Sequence, residues 1–173
     1  MNEWKALIKF MYGGGDSGSG FWYSHPLREI DGLTEEQLYW TPSPHSLCML
    51  WHVGHIAHRE RFHIGVFLQR FPVQTIIPFE MDVFGPEWAS VEEIHQSVGS
   101  AAQVMDWTQE TRQKSRQYIE SLKEEDLFTV PAASQEGLTI AHWLFITACH
   151  TSLHIGRIQF LRAMLEGQPE RAC

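Results

Sequence analysis

The sequence predicts an all-α protein, an antiparallel four-helix bundle in a single domain over residues 1–173. Three observations carry that expectation. Apolar residues recur on three- and four-residue steps over three long stretches, which is the period of an amphipathic helix. Glycine and proline concentrate between those stretches. Strand-like alternation is scarce; FPVQTIIPF is the only β-leaning piece, and its prolines place it in a loop.

Taken in order, Trp4, Leu7, Ile8 and Met11 sit at helical spacing and predict a short first helix. The run GGGDSGSG at 13–20 ends it as a flexible loop, since consecutive glycines and serines do not hold a helix. Thr34 and Gln37 form a capping-box pattern for a short helix through Trp40, which Pro42 and Pro44 stop. Ser46 to about Arg70 is free of proline, with Gly54 and Gly65 as its weak points. At ~100° per residue, Cys48, Trp51, His55, Phe62 and Val66 share one face of that helix. Residues 71–89 carry Pro72, Pro78 and Pro86 and read as an irregular loop; a loop this long is often functional. Ser90 and Glu93 form a second capping box. Beyond it Ile94, Val98, Ala101, Met105, Thr108, Ile119 and Leu122 predict one long helix seam. Residues 123–138 are a charged connection. The last helix runs from about Thr139 to Leu165, with Ile140, Trp143, Thr147, His150, His154, Ile158, Leu161 and Leu165 in one stripe and Gly167 and Pro169 ending it. The seven tryptophans are expected mostly in the core.

Composition narrows the function classes. With 43% hydrophobic and 20% charged residues the chain can bury a core without disulfides or a structural metal. No apolar run approaches the ~18 residues of a membrane span, so no membrane partner is expected. The opening MNEWKALIKFMY lacks a long apolar region and a small-residue cleavage site, which predicts a cytoplasmic protein. A net charge of −8 and a pI of about 5.6 disfavour nucleic-acid binding. Cys48, Cys149 and Cys173 form no CxxC pair, which fits a reducing compartment. Gly13, Gly15 and Gly18 match G-x-G-x-x-G, but the match follows a helix rather than a strand, so no dinucleotide site is expected.

The outlier is histidine, with ten copies. His150 and His154 are four residues apart inside the apolar stripe of the last helix, so they project side by side. Such a pair can offer two nitrogens to one metal, and bundle cores are where such sites are built. A third ligand should face them from the second long helix, which holds His52, His55, His58 and His63. His55 is centred on the stripe of Trp51, Phe62 and Val66. His58 is the reserve ligand or a neighbour of the site. A solvated, histidine-rich face accounts for His52 and His63. Cys48 reads as small core filler, and Cys149 points ~100° away from His150.

GLTEEQLYWTPSP at 32–44, LWHVGHIAHRE at 50–60 and above all HTSLHIGRIQFLR at 150–162 resemble the DinB-like metal-binding four-helix-bundle superfamily over residues 25–165. The resemblance implies a divalent ion (zinc, nickel or iron) on His55, His150 and His154, and commonly a homodimer. It also implies, among relatives, transferases and isomerases that use a low-molecular-weight thiol cofactor, or an iron-binding domain of thiol oxygenases.

Three neutral imidazoles leave a 2+ charge uncompensated and coordination positions open, which suits activation of water or a thiol from a small-molecule substrate. Glu60 and His58 are candidate bases and Arg157 a candidate anion binder; each has an ordinary surface role as its alternative. Arg59 and Arg61 are expected to be solvated. Glu80, Asp82 and Trp88 are candidates for the pocket mouth. The leading expectation is a metal-dependent hydrolase or thiol-dependent transferase with an open three-histidine site. The alternatives are a non-catalytic metal-binding or sensing module acting as a homodimer, and a bundle that holds metal only for stability.

Overall fold

A computed structural model describes residues 3–12, 25–134 and 136–167. The Gly-rich run at 13–20, Pro169 and Cys173 lie outside the described residues. The described residues are helical or irregular, with no strand among them. The helices are α1 (Glu3–Met11), α2 (Pro26–Glu29), α3 (Glu35–Tyr39), α4 (Met49–Glu60), α5 (Val73–Ile76), α6 (Val91–Ser97), α7 (Ala101–Ser121), α8 (Glu124–Leu127) and α9 (Ile140–Leu165).

Local chemistry sets the helix starts. Thr34 accepts from the Gln37 N–H while Gln37 Oε1 returns a bond to the Thr34 N–H, as the capping box predicts. Ser90 with Glu93 does the same for α6. Cys48 is core filler and also a cap: its Sγ accepts from the Trp51 N–H at 3.4 Å and so opens α4. Burial pushes its thiol up to about 11, leaving it protonated.

Three connections differ from expectation. The long helix beginning at Ser90 is two helices. Val98 is extended, Gly99 donates its N–H to Gln103 Oε1, and Ser100 caps the restart, so side chains take over the bonds a continuous helix would make. The 71–89 stretch holds α5 and a 3₁₀ segment, Phe79–Phe84. The second long helix continues past Glu60, but Arg61–Leu68 is π-helical. Such widened turns occur frequently at functional sites.

The core forms two apolar clusters. The larger joins Met49, Trp51 and Ala57 of α4, Val104 and Trp107 of α7, and Ile155, Ile158 and Leu161 of α9. The smaller joins Ile8, Tyr12, Ile64, Ile119, Leu144 and Ala148. The order in which each helix meets the clusters fixes its direction. The α4 helix and its π-helical end run the same way as α7, whereas α9 runs opposite to both. An all-antiparallel arrangement therefore does not hold for α4 and α7; the long 69–100 connection is the crossover that a parallel pair requires. Lys5 Nζ binds the Glu120 carbonyl at one end of α1 while Arg112 lies over the Tyr12 ring near the other, so α1 opposes α7.

Of the described tryptophans, Trp51 and Trp107 are buried, whereas Trp4 and Trp88 are about half exposed at 57% and 48%. Trp40, packed against the larger cluster, and Trp143 are half-buried, so the expected core placement holds for part of the set. Trp4 and Leu7 also face outward from α1, whose buried contacts come from Ile8.

Candidate metal centre

The middle of α4 faces the middle of α9, and there the structure brings His55, His150 and His154 together. One nitrogen from each lies within 4.8 Å of the other two. His55 is fully buried, His154 is 3% exposed and His150 is half-buried. The four-residue step of α9 leaves the His150 and His154 ring centroids 4.5 Å apart, and His55 completes the triangle at 5.1 and 4.8 Å.

Backbone and aromatic contacts fix the orientation of His55. Its ring stacks on Trp51 with centroids 4.4 Å apart and planes 17° from parallel. Its Nδ1–H donates to the Phe84 carbonyl at 2.7 Å; a carbonyl only accepts, so the proton is on Nδ1. That leaves Nε2 with a free lone pair, buried and without a hydrogen-bond partner. A buried, unpaired nitrogen is costly unless something else satisfies it. The carbonyl arrives through Gly54: a Cβ there would lie 2.5 Å from the Phe84 ring, so only glycine lets Phe84 seat against α4.

All three imidazoles are held neutral. Burial is the main cause, taking His55 down to about 4, His154 to about 2, and His150 below its ordinary value. The Arg59 and Arg157 charges add to the effect on His150. Neutral imidazoles are the form that binds a metal.

The remaining histidines correct the solvated-face expectation. His52 is 3% exposed, with its Nδ1 2.9 Å from His154 Nδ1. His63 is half-buried; its Nδ1 donates to Thr147 Oγ1 at 3.0 Å, because that hydroxyl gives its own hydrogen to the Trp143 carbonyl. His58 is buried, with Nε2 3.5 Å from Asp82 Oδ1, and does not join the three-histidine group. Gly85 makes room for it, since a Cβ at that position would come within 2.9 Å of His58 Nε2.

Glu60 turns away from the histidines. It is fully buried and meets Arg112 of α7 at 2.5 Å. Arg61 is not solvated either: its guanidinium bonds Thr111 Oγ1, the Ile76 carbonyl and Glu110, with 7% exposure. Arg59 is half-buried, its guanidinium paired with the exposed Glu87 at 2.7 Å. Arg157 is exposed, one helical turn beyond His154, and has no ion pair among the described residues. Glu80 lies 3.5 Å from Gln103, and Cys149 is exposed. A cavity of about 500 Å³ opens between the π-helical segment and α7, lined by Glu60, Ile64, Gly65, Thr111 and Tyr118 among others. None of the three clustered histidines lines it.

Sequence reasoning missed two contributors. The Phe84 carbonyl carries no residue-type signal, although Gly54 next to His55 hints at a close approach. His52 lies about 60° round the helix from His55, and only the position of α9 brings it against His154.

An all-helical protein with three histidines converging from two helices defines a class: a fold able to hold a divalent ion in its interior. The description of the DinB superfamily matches residues 27–158, and the chain belongs to that superfamily. No curated protein matches the chain. Among the described residues no helix is long and apolar enough to cross a membrane.

Proposed function

We propose that the protein is a divalent-metal-dependent enzyme, a hydrolase or thiol-dependent transferase, with His55, His150 and His154 as the ligands. The observation that carries this reading is the buried, partnerless Nε2 of His55, which lies in the same cluster as the His150 and His154 nitrogens. The cluster contains no carboxylate or thiolate that would close a four-ligand structural site. When bound, the ion would supply Lewis acidity toward a water or a thiol. The chain's own residues do the rest. His55, held by Phe84 and Trp51, keeps its lone pair aimed inward. Arg157, exposed beside the site, takes an anionic group of a small-molecule substrate. His58 with Asp82 is the candidate for moving a proton.

We read residues 1–173 as one domain and α1, α4 with its π-helical end, α7 and α9 as a four-helix bundle of the superfamily type with one parallel pair. Both clusters draw on helices that are far apart in sequence, which supports the reading.

A second reading, a homodimeric metal-binding module, is favoured by one observation. Phe145, Ile146, Leu153, Phe160 and Met164 leave an exposed apolar stripe along α9, a helix without Asp or Glu in a chain of charge −8. A second copy of the same stripe is the complementary surface, because it brings no carboxylate to be desolvated.

The test is His154→Ala beside chelated wild type. Elemental analysis should show that the variant has lost its metal, while circular dichroism and thermal unfolding show a helical, cooperatively folded chain. Hydrolase and thiol-transfer screens with and without chelator then separate the enzyme from the module. If both samples are molten at room temperature, the metal is structural and the enzyme reading falls.

A further inference from the structure

His52 is outside the three-histidine group, yet its Nδ1 sits 2.9 Å from Nδ1 of His154, and both rings are 3% exposed. Two nitrogens at that distance share one proton. A ring that gives a metal its lone pair is neutral, and a neutral imidazole carries its one proton on one of its two nitrogens. Two arrangements remain. If the proton sits on His52, then His154 carries its own proton on Nε2, and that nitrogen has no lone pair to give. If the proton sits on His154 Nδ1, His52 accepts it, His52 is protonated on Nε2, and His154 Nε2 is a free lone pair. The second arrangement gives His154 the form that the Phe84 carbonyl imposes on His55.

We propose that His52 is a positioning residue: its Nδ1 accepts from His154 Nδ1–H and so fixes the tautomer and ring direction that make His154 a ligand. The inference rests on the metal reading above. His52 touches neither substrate nor metal. It acts as an acceptor outside the ligand set, the role that a carbonyl or carboxylate usually fills behind a ligating histidine. The nitrogen that His52 turns to α9 is the one engaged with His154 Nδ1, and His52 is not part of the three-histidine group.

The test uses the full chain, ¹⁵N-labelled and loaded with one equivalent of zinc. Long-range ¹H–¹⁵N correlation should show His154 protonated at Nδ1 and zinc-bound at Nε2. His52 should be unprotonated at Nδ1 and protonated at Nε2, with a scalar coupling across the N–H···N bond. Competition titration should show zinc affinity about 10- to 100-fold weaker in His52→Leu. His52→Asn, whose Oδ1 can accept the same hydrogen, should recover most of that loss, which a purely space-filling role would not produce. A proton on His52 Nδ1, a zinc-bound nitrogen on His52, or wild-type affinity in His52→Leu overturns the proposal. If His52→Leu does not fold, the wild-type tautomers and the Asn variant decide. A wild-type chain that binds no zinc sinks the metal reading and this proposal together. A wild type that binds zinc, with an unaffected His52→Leu, sinks the positioning role alone.

Discussion

Gly54→Ala should damage the histidine site without touching a ligand. An added Cβ would lie 2.5 Å from two atoms of the Phe84 ring and 2.6 Å from a third. Carbon atoms pack at roughly 3.5–4 Å, so the ring must withdraw by about 1 Å. Phe84 is fully buried in the larger cluster, so its ring can move only by displacing close-packed neighbours. Overpacking of this kind costs about 1–3 kcal/mol. Alanine in a helix interior returns about 1 kcal/mol relative to glycine. The balance is a destabilisation of up to about 2 kcal/mol. The larger consequence is local. If the backbone at Phe84 follows its ring, its carbonyl leaves the 2.7 Å bond to His55 Nδ1. The bond is lost beyond roughly 3.2 Å. His55 is then free to turn or to change tautomer, and metal affinity should fall about 10- to 100-fold. Urea unfolding of the metal-free chain measures the first effect and zinc competition titration the second. A Gly54→Ala chain as stable as wild type, with unchanged zinc affinity, would refute the reasoning.

Acid should unfold the metal-free protein. Burial lowers His52, His55 and His154 to about 3, 4 and 2, whereas in the unfolded chain they titrate near the ordinary value of about 6.5. Between those values the unfolded chain binds more protons, so stability is retained above about pH 6.5 and falls as pH drops below it, by at most about 4 kcal/mol per unit if all three sites contribute fully. Urea midpoints that stay flat from pH 7 to pH 5 would contradict this. Arg112→Ala, which strands the buried Glu60 carboxylate, should cost about 3–5 kcal/mol, and the Glu60→Leu/Arg112→Met double variant much less; equal losses in denaturant melts would show the pair is not what matters. Leu153→Glu places a charge in the middle of the exposed α9 stripe and should convert a dimer to a monomer in sedimentation velocity; a wild type that is monomeric at tens of micromolar removes the basis for a dimer.

The sequence by itself determined what depends on neighbours along one helix. The four-residue step placed His150 and His154 on one face. The 3.6-residue period centred His55 on the inward stripe of α4. The Thr34/Gln37 and Ser90/Glu93 boxes marked two helix starts, because capping is a bond between residues three apart. Those contacts are local, so spacing alone determines them. What the tertiary structure decided depends on a partner whose position is not encoded locally. The direction of α7 relative to α4 follows from how the crossover packs, and periodicity is the same for a helix run either way. The restart at Ser100 turns on Gly99 and Gln103 trading backbone for side-chain bonds, which leaves the apolar pattern across the break intact. Arg61 looked solvated because charge predicts exposure, yet Thr111, Glu110 and the Ile76 carbonyl take up its donors and offset the cost of burial. His52 looked solvated because it lies off the centre of its own stripe; only the placement of α9 puts His154 within a hydrogen bond of it. A helix's sequence reveals which way each side chain points, but what it meets there is set by the other helices.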